Sequence, residues 1–426
     1  MTTSLTIWLL QTGEPLHIDA DNPRPMRAMN LADSLTKAGH KVVLWSSAFY
    51  HQEKRHRSRV VQRINISSQL EVRLIPSPGY ERNIGPGRLW DHAMLACNLK
   101  RMLRDEYSLP DVAFVGYPPI ETAAVMTSWL SARGVPSLLD LKDQWPSLFL
   151  DAMPVRLRAF GQLALWPYFH YGKVAMHQAT GLSAMANSFL QWGLDFLGRE
   201  KSQDDGVFPL TSLQAPLKDG DLREARLWWD KQGVFADGQM FRLAFVGSHM
   251  SVFDFMPVRD AAMSFAQQGA KVQFVICGDG GFSAQLRSMM ANIPNVFFPG
   301  WVDRVQIETL AKRSHAAMTP YRNIDSFTRS IPNKVIDALS LGLPILSPLQ
   351  GEVADLISKH NVGLRYGTDS GKTLIECIEV LRSDTKLHQK ISENAVDLFE
   401  RDFSFDKVYG SLVKHLEMLA RSRRSQ

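Results

Sequence analysis

Short apolar runs alternate with amphipathic stretches along most of the chain. In the first half, LTIWLL (5–10), KVVLWSS (41–47), LEVRLIP (70–76), DVAFVGYP (111–118), PSLLDL (136–141) and GLSAMA (181–186) read as strands. They lack two-residue alternation, which is the pattern of a sheet covered on both faces. Between the first two lies MRAMNLADSLTKAGH, with Met26, Met29, Ala32 and Leu35 near helical spacing and Gly39 placed to end the helix. FRLAFVG (241–247), KVQFVICG (271–278), VFFPGWV (296–302), AAMTPY (316–321) and LPILSP (343–348) repeat the grammar in the second half. Repeated strand–helix units predict parallel sheets with right-handed crossovers. The stretch from about 197 to 238 is rich in Asp, Gly, Lys and Gln and reads as linker and surface insertion. SFDKVYGSLVKHLEML (404–419) is amphipathic, with Phe405, Val408, Tyr409, Leu412, Val413, Leu416 and Leu419 on one face and Ser404 as N-cap. The expected fold is α/β, two domains facing each other across a cleft.

The chain has 426 residues, 45% hydrophobic and 21% charged, so it is long enough for two domains and too apolar to be mainly disordered. Cys97, Cys277 and Cys377 are too few and too scattered for a disulfide framework or a cysteine zinc site, and read as buried thiols of a reducing compartment. The start, MTTSLTIWLLQTGEP, has no basic n-region, so no signal peptide is expected, and no stretch is long and apolar enough to predict a membrane span. The net charge of +5 lies mostly in the first 200 residues. That mild excess suits an anionic partner, a phosphate or an acidic membrane surface, and does not call for nucleic acid.

The most informative segment is SIPNKVIDALSLGLPIL (330–346). A helix is predicted to open at Pro332 with Asn333 and Lys334 in its first turn and to end at Gly342. A helix N-terminus offers N–H groups and a positive dipole end that can hold a diphosphate. Lys334 adds a full charge there, and Asp337, a turn later, could accept hydrogen bonds from a ribose diol. A plain helix–strand connection with a surface Lys and Asp is the competing reading. ICGDGG (276–281) carries Gly278 in a G-x-G after a strand, a weak signal for a tight turn near a nucleotide. DAD (19–21) has a metal-binding form but no second ligand set, and no metal is expected.

The segment 330–346 resembles the donor-binding helix of family 4 glycosyltransferases of the GT-B fold, whose pattern is E-x7-E followed by A-x-x-x-G-x-P. Asp337 takes the second acidic position, Gly342 and Pro344 the G-x-P, and Arg329 stands where the first Glu is usual. LDLKDQWPS (139–147) resembles the E-x-R-D-L-W-P box of a branch that builds bacterial surface polysaccharides. NPRPMRAMNLADSLTKAGHKVVLWSSAFYHQEKR (22–55) resembles that branch's opening. FPGWVDRVQIETLAKRSHAAMTPYR (298–322) resembles its G-x-V strand and loop beside the base, with Gly300 and Val302. FVGSHMSVFDF (245–255) matches a family glycine at Gly247, while Ser248, His249 and Ser251 occupy a loop that in many relatives carries an Arg–Lys clamp. A surface role for His249 stands beside a donor-site role.

The resemblance implies two Rossmann-like domains with parallel sheets facing across a cleft: 1–210 for the acceptor, joined by the helix 404–426; 211–238 as linker or insertion; and 239–403 for the nucleotide sugar. It implies transfer of a sugar from a nucleotide donor, UDP-linked, to a lipid-linked saccharide acceptor in bacterial surface polysaccharide synthesis, with retention at the anomeric carbon. No metal or other cofactor is expected, because helix dipoles with Lys334 and Arg329 would neutralise the leaving diphosphate. Gly247, Ser248, His249, Gly278, Gly300, Val302, Arg329, Ser330, Asn333, Lys334 and Asp337 are the expected donor-binding set. Asp143, at the carboxyl edge of the fifth predicted strand, is the expected catalytic residue, with a helix N-cap or a partnership with Lys142 as the plainer alternative. Arg24, Arg27 and Lys142 are placed on the acceptor side, with solvated arginines as the alternative for the first two. MPVRLRAFGQLALWPYFHYGKVAM (153–176) mixes Arg156, Arg158 and Lys173 with aromatics, which suits either a membrane interface or a helix packed on the sheet. The enzyme is therefore expected at the cytoplasmic face of the membrane. Two other functions stand beside this one: a GT-B sugar-nucleotide epimerase, and a degenerate GT-B protein that only binds partners.

Overall fold

The computed structural model describes residues 4–19, 25–83, 85–151, 153–211, 217–236, 238–368 and 371–424. The chain divides into two compact units, Met1–Pro209 with Tyr409–Gln426, and Leu210–Val408.

In the first unit the strands are β1 (Thr6–Leu10), β2 (Lys41–Ser47), β3 (Phe49–Tyr50), β4 (Arg55–His56), β5 (Gln62–Asn65), β6 (Leu70–Ile75), β7 (Val112–Tyr117), β8 (Ser137–Leu141), β9 (Gly181–Ala184) and β10 (Gly206–Val207). All but β3 and β4 form one sheet, in the order β10-β9-β8-β7-β1-β2-β6-β5. Its pairs are parallel except β5 with β6. The six strands expected from apolar runs are present. The polar ones are not visible by hydropathy: β5, QRIN, is an edge strand with little burial, and β3 and β4 form a separate two-stranded hairpin. The basic segment 51–63 holds β4 and the start of β5.

Helices cover the sheet because their apolar faces need burial. Arg27–Lys37 buries Ala28, Leu31, Ala32 and Leu35, and the chain turns at Gly39 with φ 91°. Trp8, Trp45, Leu99, Val115, Met126 and Leu139 share one core. The helix Phe405–Arg424 carries Tyr409, Leu412, Val413, Leu416 and Leu419 into burial in this unit. There the His415 Nε2 atom lies 2.9 Å from the Asp204 carbonyl.

The second unit contains β11 (Phe241–Val246), β12 (Val272–Cys277), β13 (Val296–Gly300), β14 (Ala316–Met318), β15 (Ile345–Ser347) and β16 (Gly363–Arg365). They form an all-parallel sheet in the order β13-β12-β11-β14-β15-β16. Strand order reverses direction between β11 and β14, as it does between β1 and β7 in the first unit; such switch points are where open α/β sheets hold ligands. The stretch read as linker contains a helix, Asp219–Lys231. Trp229 anchors it, fully buried among Val234, Ala244, Val275 and Leu310, with its indole N–H donating to the Gln306 carbonyl at 2.9 Å. One large aromatic outweighs the helix's seven charged residues in deciding where it goes.

Candidate active site

The carboxyl end of β11 runs into Gly247, whose φ of 148° belongs to glycine. Lys334, in the first turn of the helix Asn333–Ser340, reaches back so that its Nζ donates to the Val246 carbonyl. Its ammonium also lies 4.8 Å from the Phe245 ring centre and 5.5 Å from that of Phe253. A Cβ on Gly247 would stand 1.5 Å from this Nζ. A Cβ on Gly278 would stand 2.0 Å from the Gly247 carbonyl oxygen, and one on Gly280 2.5 Å from that of His249. The glycines therefore bring three backbone segments together at the sheet edge where no side chain fits. No side chain caps the Asn333–Ser340 helix and no acid stands in its first turn, so neither offsets that positive end.

His249 is not the surface residue its loop position suggests. It is fully buried, its Nδ1 lies 2.9 Å from the Ser283 hydroxyl, and that hydroxyl donates to the Asp279 carboxylate at 2.5 Å. Its backbone N–H donates to the Asp279 carbonyl at 2.9 Å. Burial holds the imidazole below its ordinary pKa. It ties the loop after β11 to the loop after β12. Ser248 lies between these fixed points.

Ser330 is buried and donates to the Ser326 carbonyl at 2.7 Å, while Asn333 is exposed and Asp337 half-buried. Burial, with Asp337 nearby, raises the Tyr321 phenol. Gly300 takes φ 87° and its carbonyl accepts the Gly278 N–H at 2.7 Å. The Val302 side chain is packed with Trp229 and Leu310, so the side chain expected beside a base belongs to the core. Arg329 is half-exposed, 3.6 Å from the Asp325 carboxylate.

In the N-terminal unit two expectations are corrected. Arg27 is not solvated: it is buried, donates twice to Asp140 at 2.8 and 2.9 Å, and donates to the Phe208 carbonyl at 3.0 Å, so its guanidinium is engaged within the unit. Lys142 does not pair with Asp143; its ammonium binds Glu14 and the Gln11 side-chain oxygen. Arg24 lies outside the described residues. In the DAD segment Asp19 is held by Arg57 in a buried pair at 2.6 Å, and Asp21 lies outside the described residues. Among the thiols, Cys277 is buried, Cys377 half-buried and Cys97 exposed, so only one fits the expectation of burial.

Asp143 follows β8. Its Oδ1 accepts the Gln144 N–H at 2.9 Å, and burial raises its pKa. Close to it the structure gathers groups that hydropathy does not mark. Glu121 opens the helix Ile120–Ser131 after β7; burial pushes it to about 6 despite a hydrogen bond with Tyr168. His92, on the helix Pro86–Arg104, lies with its Nδ1 4.0 Å from Glu121, and burial drops it to about 4. The signal available in sequence was position: Glu121 and Asp143 both sit just past a strand's carboxyl end.

Residues 241–384 match the family described as "Glycosyl transferases group 1". That segment is a group 1 glycosyl transferase domain, and the enzyme is a transferase. No curated protein matches the chain. Among solved structures it is similar to sucrose-phosphate synthase from Thermosynechococcus elongatus, with 13% identity, 98% of this chain and 100% of that one covered, and a TM-score of 0.65. It is similar to Anabaena Alr3699/HepE in complex with UDP, with 14% identity, 97% and 100% covered, and a TM-score of 0.61. WaaG, a glycosyltransferase involved in lipopolysaccharide biosynthesis, gives 13% identity, 97% and 99% covered, and a TM-score of 0.61. The fold is that of GT-B glycosyltransferases, two Rossmann-like halves with parallel sheets.

Proposed function

We propose that the enzyme transfers a sugar from a UDP-linked donor to a lipid-linked saccharide acceptor during assembly of a bacterial surface polysaccharide. In this reading 239–403 is the nucleotide-sugar domain, 1–210 with the helix 404–426 the acceptor domain, and 211–238 their connection. The observation that carries it is Lys334 lying against Gly247 at the uncapped start of the Asn333–Ser340 helix. A lysine, a helix dipole and a glycine-lined approach together suit a departing diphosphate, with no metal required. Asp337 is the group for the ribose diol, and Gly278, Gly300, Ser248, Ser330 and Asn333 shape the surrounding backbone. His249 acts by holding the loop. Asp143, its carboxylate desolvated, is the catalytic group that meets positive charge developing on the sugar. The reaction retains anomeric configuration, as the family resemblance implies. Alr3699/HepE, solved with UDP and with UDP-glucose, supports the choice of donor nucleotide.

The lipid-linked acceptor draws support from the surface between Val155 and Lys173. Val155, Phe160 and Leu163 are 76%, 73% and 74% exposed, and Trp166 and Leu157 are exposed with them. Arg156, Arg158 and Lys173 stand in the same stretch, and residues 152–178 hold no Asp or Glu. Apolar exposure with cations and no acid suits an anionic bilayer surface. The enzyme then works from the cytoplasmic face as a peripheral protein; among the described residues no helix is long and apolar enough to cross a membrane.

Calorimetry with UDP tests the donor assignment: Lys334→Ala should weaken binding at least about tenfold. Asp143→Asn should keep UDP affinity while transfer falls about a hundredfold or more. Wild-type UDP affinity in Lys334→Ala sinks the reading. Turnover of donor without any acceptor would point to the epimerase instead.

A further inference from the structure

A second charged site lies wholly within the N-terminal unit, beside Asp143, and is built from residues given no role above. Tyr80 stands at its centre. The Lys54 ammonium sits 4.5 Å from the Tyr80 ring centre, and the Arg88 guanidinium 5.8 Å from it and 5.0 Å from that of Trp145. His51 Nδ1 lies 2.5 Å from the Tyr80 hydroxyl and 3.2 Å from the Lys54 ammonium. The His92 ring lies between Tyr80 and Trp145, edge-on to the first at 6.4 Å and tilted against the second at 6.2 Å. These residues come from the β3–β4 turn, the loop after β6, the helix Pro86–Arg104 and the loop after β8, so four separate segments converge.

Three features ask for an anion. Among the described residues neither Lys54 nor Arg88 has a carboxylate within 4.0 Å, although they crowd each other: burial and then Arg88 lower the Lys54 ammonium. The Arg88 Nε and His92 Nδ1 atoms are buried without a hydrogen-bond partner, and His92 is 4% exposed. The imidazoles are held neutral, His51 by burial, Lys54 and Arg88, and His92 by burial, Arg88 and His51. A neutral imidazole still donates one N–H, and an incoming anion would repay its protonation. Three acids face the site: Asp91 accepts the Gly79 N–H at 2.6 Å, Asp143 accepts the Gln144 N–H, and Glu121, 4.0 Å from His92 Nδ1, is largely protonated only below about pH 6. Lys54 holds this place with φ 55°, a strained backbone for a lysine.

We propose that His51, Lys54, Arg88 and His92, walled by Tyr80 and Trp145, form a phosphoryl-binding site on the N-terminal unit. Two cations from different segments with two N–H donors match a compact tetrahedral anion better than a planar carboxylate, which one arginine would bind in bidentate fashion. The proposed function supplies one source, the diphosphate of a lipid-linked acceptor, and only the choice of that source rests on it; free inorganic pyrophosphate is the other.

Calorimetry on the full chain decides, with geranyl diphosphate, inorganic pyrophosphate and geraniol as probes. Geranyl diphosphate should bind and geraniol should not. Lys54→Gln and Arg88→Gln should each weaken binding about tenfold and the double variant by more, with UDP affinity unchanged. Lys334→Ala should do the reverse, so failure of the donor reading and failure of this site give different results. In proton NMR, the bound anion should raise the His51 pKa. Equal affinity for inorganic pyrophosphate, lost in the same variants, supports the site and makes the free anion its ligand. Wild-type affinity for both diphosphates in the double variant, or an unmoved His51 pKa, overturns the proposal.

Discussion

At the carboxyl ends of β1 and β7, Lys142 is held by Glu14 and Gln11, and Arg27 and Asp140 lock together beneath them. At the corresponding end of β11, glycines stand where those side chains would be, and one lysine lies across them. Both units reverse strand order at these points, so the sheets offer equivalent crevices. The N-terminal crevice is filled by the protein's own charges, and its titratable groups gather farther along the same edge, at His92, Glu121 and Asp143. The C-terminal crevice is left to backbone. Strand order therefore sets where a crevice falls, and side-chain size decides whether a ligand can use it.

The comparison breaks most sharply at the glycines. Gly278→Ala puts a methyl 2.0 Å from a backbone oxygen at φ 120°, with no flexible neighbour to yield. A loss of about 4 kcal/mol or more is expected in denaturant unfolding. On the filled side, Arg27→Met leaves Asp140 buried and without its cation, with the Ser183 hydroxyl still donating to it, and should cost about 3–5 kcal/mol by the same measurement. A change near 1 kcal/mol would mean the pair is ornamental and the contrast weaker than drawn.

Acid sharpens the comparison within the N-terminal edge. Folded His92 titrates near 4, an unfolded histidine near 6.5, so the unfolded chain binds more protons between those values. Its contribution makes stability fall as pH drops through that window, by about 3 kcal/mol in all. Glu121 works oppositely: raised to about 6, it takes up its proton earlier when folded and favours the fold as pH falls from 6 to 4.5, by about 2 kcal/mol. His92→Gln should flatten the acid loss in urea melts across pH 4–7, and Glu121→Gln should steepen it. Equal slopes in the two variants would deny that these environments differ. The smallest effect belongs to Arg329→Ala, whose exposed pair with Asp325 should shift the thermal midpoint by less than about 1 kcal/mol of stability.

The sequence made the apolar strands and the start of the Asn333–Ser340 helix readable, because burial on both faces and a proline leave local marks. It hid β5, whose edge position lets it be polar, and the helix Asp219–Lys231, which Trp229 fixes from a distance. The site followed the same division. Gly247 and Lys334 were legible as residue types at a strand end and a helix start. Arg27 was not, because its partner Asp140 is 113 positions away and looks like any polar residue until the sheet assembles. His92, Glu121 and Arg88 were hidden for the same reason: their chemistry comes from neighbours that only the fold supplies.

The helix Phe405–Arg424 belongs, from Tyr409 onward, to the unit that begins at residue 1. A ribosome that has released residues 1–209 has therefore made a half whose apolar seat for Leu412, Leu416 and Leu419 is still vacant. That seat stays wet for almost as long again, until the codons from Tyr409 onward are read. The N-terminal half is thus finished after the C-terminal one, and a nascent chain arrested anywhere between carries an open greasy slot for chaperones to guard.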